Sequence, residues 1–98
     1  MTRETSKTIL KWGDETFGEV SNPLALINRA RMEMDELEEA LTDNDKEEAA
    51  KEAADVVILL HRLVGLMGKE LSEEVDKKMA INRNRTWKTA GDGTGGHI

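Results

Sequence analysis

The chain has 98 residues, no cysteine, two tryptophans and one phenylalanine as its aromatic residues, and a net charge of −6. A single small domain follows, without disulfides or a thiolate metal site, and with a core so small that association with further copies is the expected source of added stability. The acidic balance excludes general binding to a nucleic-acid polymer, and no apolar run reaches the ~20 residues of a membrane span or resembles a signal peptide, so a cytoplasmic protein is expected.

Periodicity predicts four helices and no strand, that is, an all-α, four-helix bundle-type domain over residues 1–88 assembled with partner subunits. The first helix, roughly residues 3–17, is short and weakly patterned and carries Ile9, Leu10 and Trp12. Ser21-Asn22-Pro23 opens the second, because a capping residue before proline is a start signal. Ile27, Ala30, Met34, Leu37 and Leu41 then form one apolar stripe, and Thr42-Asp43-Asn44-Asp45 ends it.

The third helix is expected from Asn44 or Asp45 to about Met67, with Glu47 and Glu48 favouring the dipole of its first turn and Gly68 beyond its end. It carries two apolar stripes, one through Ala53, Val57, Leu60 and Val64, the other through Val56, Leu59, Leu63 and Leu66. A helix apolar on two faces is buried on two sides, and in so short a chain the second side is expected to meet a partner subunit. The fourth helix is expected from Ser72 to about Trp87. Residues 89–98, rich in glycine, read as a flexible tail or a loop that orders on a ligand.

Eleven acids lie between residues 33 and 55 against two lysines. Most read as solvated helix face, but Glu33 and Glu36, and likewise Glu52 and Asp55, sit three apart and flank apolar positions. Residues three apart on a helix point to one side. Two such pairs on neighbouring antiparallel helices bring four carboxylates together. At an effective dielectric of 20, two charges 5 Å apart repel by about 3 kcal/mol, so such a group needs a counter-charge. An all-oxygen site favours Mg²⁺ or Mn²⁺. A di-iron bundle would need Glu-x-x-His motifs, which neither pair supplies. His61 reads as a helix-face or interface residue.

On the fourth helix Lys78, Asn82 and Arg85 fall at i, i+4 and i+7 on one face. They read either as favourable charge near a helix C-terminus or as a grip for phosphate oxygens. Trp12, Phe17 and Trp87 are the large flat side chains. Each reads as core or as a stacking surface for a base.

Glu33-x-x-Glu36 with Leu37 and Glu39-Ala40, then Glu52-x-x-Asp55-Val56, then Lys78-x-x-x-Asn82-x-x-Arg85, together resemble the MazG-like all-α nucleoside triphosphate pyrophosphohydrolases over about residues 12–87. The stretch from Trp12 to Gly18 and the Gly-rich tail resemble those of small, phage-type members. Met32 stands where the family often has a further Glu.

The resemblance implies hydrolysis of a (deoxy)nucleoside triphosphate to the monophosphate and pyrophosphate. It implies Mg²⁺ held by Glu33, Glu36, Glu52 and Asp55, and phosphate contacts from Lys78, Asn82 and Arg85. It also implies a homodimer, or a homotetramer made of two dimers, with the active site near a subunit interface, and a role in cleansing the nucleotide pool. The expected reaction is attack of water on the α-phosphorus, with Glu36, or less directly Glu39, orienting the water. Two alternatives stand beside it: a non-catalytic acidic helical interaction module, and a phosphoribosyl-ATP pyrophosphohydrolase using the same carboxylates.

Overall fold

In the computed structural model, which describes residues 3–98, the helices are α1 (Ser6–Phe17), α2 (Leu24–Thr42), α3 (Lys46–Leu66) and α4 (Leu71–Arg83), and they are followed by strands β1 (Trp87–Thr89) and β2 (Gly95–His97). The helix boundaries follow the caps. Thr5 and Thr8 form a reciprocal capping box at α1. The N-cap of α2 is Pro23, one residue later than expected, and Asn22 Oδ1 accepts from the Leu24 N–H at 3.0 Å. The Asp45 side chain caps α3 through the Glu48 N–H at 3.1 Å. Gly68, at φ +74°, takes the left-handed turn after α3 that a side chain resists.

The short turn at Asp43–Asp45 folds α2 and α3 into an antiparallel pair, the most extensive contact in the chain. The inward stripe of α2 is Leu26, Ala30, Glu33, Leu37 and Ala40. This corrects the expected stripe: Met34 and Leu41 are exposed, and Glu33 stands within the stripe rather than at its edge. On α3 both expected stripes are half-buried, one at Ala53, Leu60 and Val64 and the other at Val56, Leu59 and Leu63, while Val57, Leu66 and Met67 are exposed. Small side chains at Ala30, Ala40 and Ala49, all buried, let the two helices approach closely.

Helix α1 crosses the C-terminal half of α3. The approach is tight at Gly65, where an added Cβ would lie 2.9 Å from the Ser6 carbonyl oxygen. Ser6 is wholly buried there and its Oγ joins three elements. It accepts from the Leu71 N–H at 2.9 Å, donates to Glu70 Oε2 at 3.2 Å and lies 2.8 Å from His61 Nδ1. Glu70 also accepts from the Ser6 N–H at 2.8 Å and caps α4 through the Ser72 N–H at 3.1 Å. These N–H donors hold the Glu70 carboxyl below its ordinary range. A serine, a histidine and a glutamate thus meet as a clamp between helix ends. With no solvent access, the hydroxyl is no nucleophile.

Helix α4 packs lightly on α3, has no extensive contact with α2, and none of its side chains is fully buried. The Cα radius of gyration is 15.7 Å, against about 13 Å for a compact chain of this length. The fourth helix ends at Arg83, not near Trp87. Beyond it the expected tail pairs into a hairpin, with Trp87 opposite His97 and Thr89 opposite Gly95. Glycines at φ +92° and +93° flank Asp92, whose Oδ1 accepts from the Thr94 N–H at 3.0 Å, and this turn closes the hairpin. Among the described residues, no helix is long and apolar enough to cross a membrane.

Replacing Ser6 by alanine orphans the Leu71 N–H and one face of Glu70. It is expected to cost about 1–3 kcal/mol in urea unfolding while leaving divalent-cation affinity, measured by calorimetry, unchanged.

Candidate active site

Glu33 and Glu36 project from α2 toward Glu52 on α3. One oxygen from each of the three carboxylates lies within 4.8 Å of the other two. Glu33 and Glu52 are half-buried and Glu36 is exposed. Oε2 of Glu52 is closed off from solvent and has no hydrogen-bond partner. Its burial, above all, pushes the Glu52 carboxyl up to about 8, and the neighbouring carboxyls of Glu33, Glu48 and Glu36 push the same way. Glu33 is also raised, first by burial and further by Glu36 and Asp55, while its neighbour Glu52 works the other way.

These residues fit a hard divalent cation. A half-buried carboxyl raised to about 8, a second raised beside it, and a closed-off oxygen that nothing pairs are what a divalent cation would neutralise. Asp55 stands somewhat apart: it is close enough to Glu33 to raise its pKa, yet it lies outside the group of three. Glu39 is exposed one turn beyond Glu36 and is likewise outside that group. Glu48, one turn before Glu52, is near enough to raise the Glu52 carboxyl further, though it too lies outside the group of three. The i, i+4 spacing from Glu52 was its signal, masked because an acid in a first helical turn is already explained by the dipole.

A cleft of about 560 Å³ opens beside the acids. Glu33 and Asp55 lie in its wall together with Trp12, Phe17, Asn22, Leu26, Arg29, Ile58 and Arg62. Trp12 and Phe17 meet edge to face, with ring centroids 5.6 Å apart and planes at 89°. Both are more than half exposed and so are wall rather than core. Arg29, one turn before Glu33, and Arg62, two turns after Asp55, were not singled out by sequence. Arginine on a mixed helix is common, and only the packing of α1 and α2 around α3 turns these two toward one cleft.

The remaining sequence candidates lie elsewhere. Lys78, Asn82 and Arg85 are absent from the cleft, and Arg85 falls beyond the end of α4, so the three do not share one helical face. Asn82 is half-buried and its Oδ1 has no partner. Trp87 is in β1, where its indole N–H donates to the Asn82 carbonyl at 2.7 Å and its ring meets His97 edge-on. It faces no part of the cleft wall.

A helical hairpin with carboxylates converging from both of its helices, beside a cleft with an aromatic wall, fits the MazG-like all-α class that the sequence resembles. The chain belongs to the dATP/dGTP pyrophosphohydrolase family, whose profile matches residues 5–97. It is 35% identical over 95 residues to a dATP/dGTP diphosphohydrolase of Salmonella phage PMBT28, covering 97% of this chain and 31% of that one. It is 40% identical over 58 residues to the dATP/dGTP diphosphohydrolase of cyanophage S-2L, covering 59% of this chain and 55% of the other. The chain therefore spans about a third and about half of the length of these two relatives. No solved structure matches it.

The raised carboxyls make a signed prediction. Glu52 titrates at about 8 in the fold against 4.5 as an isolated group. Between those values the folded chain keeps a proton that the unfolded chain has lost, so rising pH destabilises the metal-free protein. Its thermal midpoint in EDTA is expected to fall across this window, and excess MgCl₂ is expected to abolish the fall. A midpoint indifferent to both pH and Mg²⁺ would dissolve the cluster as a cation site.

Proposed function

We propose that this chain hydrolyses purine deoxynucleoside triphosphates, dATP or dGTP, to the monophosphate and pyrophosphate. The observation that carries the reading is the convergence of Glu33, Glu36 and Glu52 within 4.8 Å, with a buried, unpaired Glu52 oxygen among them and with Glu33 also in the wall of the aromatic cleft. The names of the two phage relatives supply the substrate. Control of the deoxynucleotide pool is the role that such a reaction serves.

Glu33, Glu36 and Glu52, with Asp55 beside them, would hold Mg²⁺ or Mn²⁺. When bound, a divalent cation supplies charge neutralisation at the phosphate oxygens and Lewis acidity. The residues of the chain divide the remaining work. Arg29, exposed one turn before Glu33, offers a planar cation to a phosphate at the mouth of the cleft. Glu36, the most exposed of the three carboxylates, is placed to accept a hydrogen bond from the attacking water and so orient it toward the α-phosphorus. Trp12 and Phe17 offer an apolar wall to the base.

Lys78, Asn82 and Arg85 enter this reading through a second copy of the chain. Helix α4 has no extensive contact with α2 in its own chain, so its cations serve a neighbour's acids. The exposed Val75, Met79 and Ile81 on α4, and Met32, Met34 and Val57 near the acids, supply the apolar surface for a dimer or a tetramer of two dimers.

Pyrophosphate release from dATP and dGTP is expected with Mg²⁺ and not with EDTA. Glu36→Gln and Asp55→Asn are each expected to reduce kcat by at least about a hundredfold, and full activity in either would remove that residue from the site. Mixing inactive Glu36→Gln protein with inactive Lys78→Ala protein is expected to restore part of the activity, because mixed dimers contain one intact shared site. No recovery from a mixture shown to exchange subunits would place the α4 cations outside the active site.

A further inference from the structure

Arg62 is a buried charged residue, at 8% exposure, and its surroundings are unusual for a packing residue. Its Nη2 donates to the Gly18 carbonyl at 2.7 Å and to Asp14 Oδ1 at 3.1 Å. Its guanidinium carbon lies 5.8 Å from the centre of the Phe17 ring. Its Nε is closed off from solvent without a partner. The seat exists only because residue 13 is glycine: an added Cβ would stand 2.5 Å from Nε and 2.8 Å from Cδ and Cζ.

A methionine or leucine would fill the space between α1 and α3 without stranding a donor. What arginine adds is confined to one place, the last turn of α1 and the bend after it. Asp14, Phe17 and Gly18 all lie there, and Phe17 and Gly18 are wall of the cleft, as is Arg62 itself. Gly18, at φ +88°, has the backbone freedom to swing if nothing holds its carbonyl. Along α3, Arg62 follows Asp55 by two turns, about 10 Å of helix axis. The acid end and the aromatic end of the cleft are therefore spaced by one rigid element, and the guanidinium ties the α1 side of the aromatic end to it.

We propose that Arg62 is a positioning residue that sets the depth of the base end of the cleft, holding Phe17 and Trp12 where a purine reaches them and the shorter pyrimidine does not. This rests on the nucleotide reading above. Asp14 and Gly13 belong to the same device, one orienting the guanidinium and the other leaving room for it.

The test is a steady-state panel of dATP, dGTP, dCTP and dTTP with wild-type, Arg62→Lys, Arg62→Met and Asp14→Asn proteins, with thermal melts to verify folding. Arg62→Met keeps the packing volume and loses the Gly18 and Phe17 contacts. It is expected to raise the KM for purine nucleotides and to reduce the purine-over-pyrimidine ratio of kcat/KM, each about tenfold, with kcat nearly unchanged. Arg62→Lys is expected to recover part of the selectivity, and Asp14→Asn to show the same effect more weakly. A folded Arg62→Met protein with wild-type KM and selectivity would overturn the proposal, and so would one whose kcat alone collapsed. If wild type hydrolyses purine and pyrimidine nucleotides alike, this inference falls and the hydrolase reading stands. If wild type hydrolyses none of them, both fall.

Discussion

Like charge held at close range is the constraint on which this molecule turns. Three carboxylates from two helices come within 4.8 Å of one another, and the arrangement is tolerable only if protons or a cation neutralise it. Burial makes the demand sharper, since it withdraws the water that would otherwise screen Glu52. The close approach itself follows from Ala30, Ala40 and Ala49, whose small side chains let α2 and α3 meet and so aim their acids at each other. Glu33 occupies a place in the α2 stripe where an apolar residue would have packed more favourably. The stability given up there is what creates the binding potential.

Helix α3 is the spine that relates the parts. Glu52 and Asp55 near its start face the acids of α2, and Arg62 near its end faces α1. A helix has a fixed rise and rotation per residue, so the separation of the acidic and aromatic ends is set once α3 forms. Helix α1 is attached to that spine twice, through the buried Ser6 clamp and through Arg62. By contrast, α4 and the terminal hairpin stand away from the bundle with apolar residues exposed.

Much of this was legible in the residues. The starts of α2 after Ser21-Asn22-Pro23, to within one residue, and of α3 after Asp45 rest on turn and capping chemistry whose cause is local. The acid pairs could be found because i, i+3 spacing fixes a shared helix face whatever the rest of the chain does. Legibility failed where the deciding contact was distant. The α2 stripe was right at Ala30 and Leu37 but one residue late elsewhere, because Ile27, Met34 and Leu41 are at least as apolar as Leu26, Glu33 and Ala40, and only the docking of α3 selects between them. Arg62 carried no local signal, since its partners lie more than forty residues away. The hairpin after Trp87 was missed because four glycines outweighed a Trp-Lys-Thr strand signal, while the Asp92–Thr94 turn that closes it depends on backbone geometry.

By itself the sequence determined the helical character of the chain, the caps that bound its helices and the pairing of acids along each of them, because all of these depend on neighbours within one or two turns. The tertiary structure alone decided that three of those acids meet, that Asp55 stands slightly apart, that Trp12 and Phe17 rather than Trp87 border the cleft, and that a glycine at position 13 seats a buried arginine. Each of these depends on how separate helices dock, and docking is set by shape and burial summed over the whole chain.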